Sequence, residues 1–207
     1  DLGPGDEGDP GTLSYDIITL AEWELKLEQP WLLSLEPAIG FAGDQVIVHG
    51  RHFVDGATVL IHGRSVAANF NHAEQLTFNV PQDMGGGKHS VKVRTPDGDE
   101  SNEAPFSVRP YLMEIQRAGS VVNSVSAGDE VTLVGRSFVS GAGVYANGEI
   151  LQTTSLTRSE IILTIPEVVG EDAGGEIRFV VHNPDGLESD ELTIERLPSL
   201  DSGFRAG

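Results

Sequence analysis

The 207 residues carry 13 Lys and Arg against 32 Asp and Glu, a net charge of −19, with 39% hydrophobic residues and no cysteine. That field disfavours nucleic acid and anionic lipid, both of which are bound largely through Lys and Arg. Disulfide frameworks and thiolate metal sites are removed, and no apolar run approaches the roughly 18 residues that would span a bilayer.

Taken in chain order, residues 1–10 (DLGPGDEGDP) are Gly, Pro and acid, a linker composition with almost nothing to bury. Between Tyr15 and Glu28, two patterns compete: a helical stripe through Leu20, Trp23 and Leu27, or an alternating strand. In the strand reading Trp23, Leu25 and Leu27 face one way and Glu22, Glu24, Lys26 and Glu28 the other. The unbroken alternation favours the strand, an extended N-terminal segment that either completes a sheet of the following domain or belongs to a preceding domain or a partner. Residues 201–207 are linker-like as well, so the sequence is expected to be a stretch of a longer polypeptide or a piece threaded through an assembly.

From Pro30 onwards the chain repeats itself. Gly43-Asp44-Gln45-Val46-Ile47-Val48-His49-Gly50-Arg51-His52-Phe53-Val54 recurs from Gly128 to Val139 at an offset of 85 residues, and Val80-Pro81 maps onto Ile165-Pro166 at the same offset. Pro96-Asp97-Gly98 returns as Pro184-Asp185-Gly186 at an offset of 88, after an insertion of three residues. A period of this length is a domain rather than a solenoid unit, because about 85 residues can close a small core of their own.

Within the first copy, Val46 and Val48, Val59 and Ile61, Leu76, Phe78 and Val80, and Val91 and Val93 form short alternating runs separated by Gly, Asn and Asp. Val131 and Leu133, Val144, Ile161, Leu163 and Ile165, Phe179 and Val181, and Leu192 and Ile194 repeat the rhythm. About seven strands per unit, with no sustained helical period, describe an all-β fold of two tandem immunoglobulin-like β-sandwiches. Pro-Asp-Gly reads as a tight turn in each copy, since Pro presets φ and Gly accepts a positive one. The expected boundaries are a linker and extended segment at 1–29, a first domain at 30–109, a second at 110–198 and a tail at 199–207.

The residues that carry this pattern also carry a resemblance. Pro30-Trp31-Leu32-Leu33-Ser34-Leu35-Glu36-Pro37, the Gly-Asp pair, Gly50-Arg51-His52-Phe53, Val80-Pro81 and Pro96-Asp97-Gly98 together resemble an IPT/TIG domain, and the unit from Pro110 to Ile194 resembles one too. The resemblance implies the immunoglobulin-like fold shared by plexins, Rel-type transcription factors and many bacterial surface and secreted proteins. The second copy departs from it by lacking the counterpart of Pro37 and carrying five extra residues around Arg117 to Ser124, so its first loop is longer. The DNA-binding role of Rel-type relatives is disfavoured, because this chain has Asp44, Asp55, Asp97 and Asp99 where basic loops would be needed.

The signature residues read as structural. Gly50 and Gly135 are expected at a sharp strand bend, Phe53 and Phe138 in the cores, and Pro81 and Pro166 at strand ends. Only Arg109 and Pro110 separate the units, so a stiff rod is expected.

No catalytic, cofactor or metal residue is assigned. The counterparts of His49, His52 and His62 are Val134, Ser137 and Asn147, so the fold does not need the histidines, but three imidazoles without a placed carboxylate are a weak zinc signal; exposed loop histidines are the reading. Asp97-Gly98-Asp99-Glu100 and Asp6-Glu7-Gly8-Asp9 have a calcium-loop composition without its spacing and read as solvated turns. Gly85-Gly86-Gly87-Lys88 precedes no helix and reads as a flexible hairpin, while Glu171-Asp172, Glu188, Asp190 and Glu191 define no cleft. Trp31 and Tyr111 share one repeat position and read as packing; Tyr145 and the extended loop from Ala118 to Ala127 are the remaining candidates for ligand contact. The expected function is a non-catalytic structural, spacer or protein-interaction module of a surface, secreted or virion-associated protein, extracellular or at the cell surface, with protein partners or neighbouring domains. The alternatives are a carbohydrate- or protein-binding adhesion module, or accessory domains of an extracellular enzyme.

Overall fold

A computed structural model describes residues 29–167 and 175–198. The segment read as a strand between Tyr15 and Glu28 lies outside them, as do Glu171-Asp172, Asp6 to Asp9 and the C-terminal tail.

The first unit consists of β1 (Trp31–Glu36), β2 (Ile39–Gly40), β3 (Gln45–Arg51), β4 (Thr58–Ile61), β5 (Arg64–His72), β6 (Gln75–Asn79), β7 (Gly87–Arg94) and β8 (Ala104–Val108). They pair in the order β1-β3-β6-β5-β4-β7-β8-β2. The nine-residue β5 pairs with β4 through Arg64 to Ala67 and with β6 through Ala68 to His72, so one strand belongs to both layers of the sandwich.

The second unit consists of β9 (Tyr111–Arg117), β10 (Ser120–Val121), β11 (Ser124–Val125), β12 (Glu130–Arg136), β13 (Gly143–Ala146), β14 (Glu149–Leu151), β15 (Thr153–Leu156), β16 (Glu160–Thr164), β17 (Glu176–His182) and β18 (Leu192–Arg196). Here the counterpart of β5 is divided into β14 and β15, and two five-stranded sheets result, β10-β9-β12-β16-β15 and β11-β18-β17-β13-β14. The described residues contain no helix. The fold is all-β, two immunoglobulin-like sandwiches in tandem.

Alternation places the apolar set of each strand inside. Leu32, Val46, Val48, Phe53, Val59, Leu76, Phe78, Val93 and Phe106 belong to one buried cluster that draws only on residues of the first unit. Leu112, Val131, Leu133, Phe138, Val144, Ile161, Leu163, Phe179 and Ile194 belong to a second. The cores keep their volume while redistributing it: Phe106 on β8 becomes Ile194 on β18, and Val91 on β7 becomes Phe179 on β17. Exchanges of this kind are tolerated because total volume and pattern survive. Each buried phenylalanine contributes roughly 1.5–3 kcal/mol relative to exposure.

Gly50 and Gly135 hold their positions for a reason other than the expected bend. Neither has a positive φ. A Cβ on Gly50 would lie 2.2 Å from both the Phe53 ring and the Trp31 carbonyl oxygen, and one on Gly135 would lie 2.3 Å from the Phe138 ring and 2.2 Å from the Tyr111 carbonyl oxygen. The glycine clears a bed for the aromatic ring, and the turn falls on the next residue but one: His52 (φ 58°) and Ser137 (φ 60°) adopt the left-handed conformation. Opposite each glycine the partner strand bulges, between Leu32 and Ser34 in β1 and between Leu112 and Glu114 in β9. The residues left over, Leu33 and Met113, are both exposed.

The repeated Gly-Asp pair is a turn device. Asp44 accepts the Phe41 N–H at 2.8 Å and Asp129 accepts the Ser126 N–H at 2.8 Å, while Gly43 (φ 98°) and Gly128 (φ 85°) donate to the carbonyls of Val80 and Ile165. Where the second copy lacks Pro37, the chain makes a two-residue hairpin instead. Ala118 (φ 50°) and Gly119 (φ 78°) turn it from β9 into β10, so the extended loop is ordered β structure over part of its length.

Candidate functional site

The built surface that the sequence reading did not locate is the junction between the two sandwiches. β8 ends at Val108 and β9 begins at Tyr111, with Arg109 and Pro110 between them. Arg109 donates its backbone N–H to the Gly40 carbonyl (2.8 Å), and its guanidinium carbon stands 4.8 Å from the centroid of the Phe41 ring. From there Nε donates to the Glu188 carbonyl at 2.8 Å and Nη2 to Asp190 Oδ1 at 3.0 Å, so a residue at the end of the first sandwich grips a loop of the second. Tyr111 meets Phe41 edge-on, centroids 5.3 Å apart at 63°.

A second contact is made by the segment after β6. Met84 is buried, its carbonyl accepts the Ser137 hydroxyl at 2.8 Å, and the Ser137 carbonyl in turn accepts Asn183 Nδ2 at 3.1 Å. Gly86 lies against that Ser137 carbonyl. Gly85 and Gly86 therefore form a docking loop and Gly87-Lys88 open β7, a correction to the reading of the four as a flexible hairpin: at Gly86, glycine serves because backbone must approach backbone. Buried His89 on β7 ties the loop down, its Nε2 2.8 Å from the Gly85 carbonyl; because that partner can only accept, Nε2 carries the proton.

The histidines weighed for a metal are dispersed. His49 sits within β3, half-buried, with Nε2 3.2 Å from Glu36 Oε2, so it is a strand residue rather than a loop one. His52 occupies the left-handed position after Arg51, and His62 (φ 50°) turns β4 into β5 and meets His89 edge-on at 5.4 Å. Among the described residues no group of three or more His, Asp or Glu side chains is gathered as a cation would require. In the Asp97 to Glu100 turn, the Gly98 N–H donates to the Thr95 carbonyl at 3.1 Å and Gly98 takes φ 100°.

The outer face of β7 is occupied by charge. Lys92 pairs with Glu103 at 3.1 Å and Glu100 at 3.3 Å, and Arg94 also binds Glu100. Arg94 and then Lys92 hold the Glu100 carboxyl below the usual carboxylate range, while Glu103 and then Glu100 raise the Lys92 ammonium. The corresponding face of the second unit differs. Tyr145 on β13 stacks on His182 of β17, centroids 4.2 Å apart and tilted by 31°, and Val180 stands opposite Tyr145 in the strand register. His182 Nδ1 lies 3.5 Å from Glu188 Oε1.

Trp31 and Tyr111 do not share a fate. Tyr111 packs on Phe41, whereas Trp31 is 53% exposed beside Leu33, Arg51, His52, Glu100 and Asn102, which corrects its reading as a packed residue. Asn102 holds β1 in place, accepting the Leu32 N–H at 2.8 Å and donating to the Leu32 carbonyl at 2.9 Å.

Fold and junction define the class: two immunoglobulin-like β-sandwiches docked end to end. The family model of the IPT/TIG domain matches residues 30–108, the first sandwich. No curated protein matches the chain. Among solved structures it is similar to SGBP-B of the Bacteroides ovatus mixed-linkage glucan utilization locus, in complex with a mixed-linkage heptasaccharide: 17% identity, TM-score 0.32, covering 77% of this chain and 43% of that one. It is similar to the surface glycan-binding protein PbSGBP-B from Prevotella bryantii at 17% identity and TM-score 0.42, covering 76% of this chain and 37% of that one. It is also similar to a gamma-CGTase from alkalophilic Bacillus clarkii at 16% identity and TM-score 0.38, covering 83% and 26%. The chain spans less than half the length of each. Among the described residues, no helix is long and apolar enough to cross a membrane.

Proposed function

We propose that the chain is a non-catalytic structural and protein-interaction module, with residues 30–109 and 110–198 as its two domains, which holds neighbouring parts of a larger surface, secreted or virion-associated protein in fixed relation. Its partners are then protein surfaces or adjoining domains, and its place is extracellular or at the cell surface. The observation that carries the reading is the junction. Arg109, Phe41, Met84 and Gly86 of one sandwich engage Tyr111, Ser137, Asn183, Glu188 and Asp190 of the next, more than a two-residue tether requires. A spacer needs such stiffness and a flexible linker does not. Small-angle scattering of the full chain is expected to fit one interdomain geometry; a broad distribution of interdomain distances would overturn the reading.

Carbohydrate binding is a second reading, favoured by the Tyr145–His182 face: an aromatic ring on a sheet surface offers a sugar a stacking platform, and the equivalent face of the first unit is filled by the Lys92 and Arg94 ion pairs. A glycan array probed with the wild type and Tyr145→Ala tests it, with signal lost in the variant expected and no signal from the wild type against it.

A further inference from the structure

We propose that the open pole of the first sandwich, centred on Trp31, receives the end of another immunoglobulin-like sandwich, seated as the first sandwich is seated on the second. The inference rests on the end-to-end reading above and adds a site and a kind of partner to it.

The repeat supplies the argument. The receiving pole of the second sandwich is formed by Tyr111, Arg136, Ser137, Glu188 and Asp190, whose counterparts in the first are Trp31, Arg51, His52, Glu100 and Asn102. On the second sandwich the pole is covered at Ser137 and contacted at its rim, where Tyr111 remains 38% exposed and Glu188 and Asp190 are exposed. Ser137 is 4% exposed beneath Met84 and Gly86, Arg109 binds Glu188 and Asp190, and Phe41 meets Tyr111. Arg136 also faces the first sandwich, its Nη1 4.0 Å from where a Gly43 Cβ would stand. On the first sandwich the same five positions surround a groove in which His52 and Arg51 are exposed, Trp31 is 53% exposed and Leu33 is 56% exposed. Trp31, a large apolar side chain standing in water at the position where the repeat elsewhere makes its interdomain contact, marks a contact surface rather than a solvated one.

The chemistry of the occupant follows from what changed between the poles. Trp31 asks for an aromatic or thioether neighbour, as Phe41 is to Tyr111. His52, in place of Ser137, joins Arg51, which Arg136 matches, and the two ask for carbonyl or carboxylate acceptors. A head-to-tail second copy of this chain fits poorly, because the second sandwich has Ser126 and Leu197 where the first has Phe41 and Arg109. The partner is a sandwich whose far end resembles that of the first unit.

The test uses the full chain with Trp23→Phe, which leaves Trp31 as its one tryptophan. A further copy of residues 30–109, carrying Trp31→Phe, is inserted between Gln29 and Pro30; its apolar core lies wholly within those residues, so it brings its own fold. Acrylamide quenching of Trp31 is expected to fall about two- to threefold on insertion, as the ring leaves water, and Phe41→Ser in the inserted copy should restore it. Unchanged quenching would overturn the proposal, as would shielding that survives Phe41→Ser. Shielding already present in the uninserted chain would also overturn it: loss on dilution would name a second copy as the occupant, and loss on deleting residues 1–28 would name that segment. Scattering from the uninserted chain does not involve Trp31, so failure of the rod and failure of this pole are separable.

Discussion

Gly86 lies against the Ser137 carbonyl so closely that a Cβ on it would stand 2.2 Å from that oxygen and 2.4 Å from Asn183 Nδ2. Gly85, one residue earlier, has nothing within 4 Å of the same virtual atom. Gly86→Ala is therefore expected to force the docking loop off the second sandwich and break the bonds from Ser137 Oγ to Met84 and from Asn183 to Ser137, while each core remains intact. Scattering should show a broadened interdomain distribution with near-native circular dichroism. Gly85→Ala should leave both unchanged, and an unchanged profile for Gly86→Ala would show that the loop does not set the geometry.

The ring beds at Gly50 and Gly135 leave a Cβ equally little room. Gly50→Ala places a methyl group against both the Phe53 ring and the Trp31 carbonyl oxygen, and only the ring can move. Overpacking of this kind costs about 1–3 kcal/mol, and the fixed carbonyl puts this site at or beyond the upper end. Shrinking the ring in Gly50→Ala/Phe53→Leu should recover little of that, because the backbone contact persists. Chemical denaturation of both variants checks this, and full rescue by Phe53→Leu would assign the restriction to the ring alone.

Much of the fold was legible because alternation and turn chemistry are local. Val46 and Val48, Leu76 and Phe78, and Val91 and Val93 lie buried on β3, β6 and β7, and Pro-Asp-Gly turns the chain in both copies. β5 escaped notice since most of Arg64 to His72 is exposed, which leaves no apolar alternation to read. The junction was illegible for another reason: a glycine kept for close approach and a glycine kept for freedom are the same letter, and only coordinates set Gly86 against Ser137. Trp31 adds a third case. Its equivalence to Tyr111 was visible, but repeat position says what a residue is shaped to meet and not whether the partner is in place.

Acid should weaken the second sandwich through Asp129. Its carboxyl accepts the Ser126 N–H at 2.8 Å and Arg117 Nη1 at 2.6 Å, and the backbone bond first, then the guanidinium, hold it below the ordinary aspartate range. A carboxyl with a lower pKa in the folded state stabilises the fold above its unfolded value of about 3.9 and loses that contribution as pH falls through the folded value. Asp129→Asn removes the charge while leaving one acceptor for the Ser126 N–H. At neutral pH the variant should be less stable than wild type by something on the order of 1 kcal/mol, the scale of a capping carboxylate whose exposed pair with Arg117 is screened by water. The gap should narrow as pH drops below about 4 and close once the wild-type carboxyl is protonated. Other depressed carboxyls, Glu100 and Asp83 among them, titrate identically in both proteins and cancel in the difference. Thermal unfolding followed from neutral pH into acid measures it; a gap that stays constant would mean that the charge on Asp129 contributes nothing and that its turn is held by geometry alone.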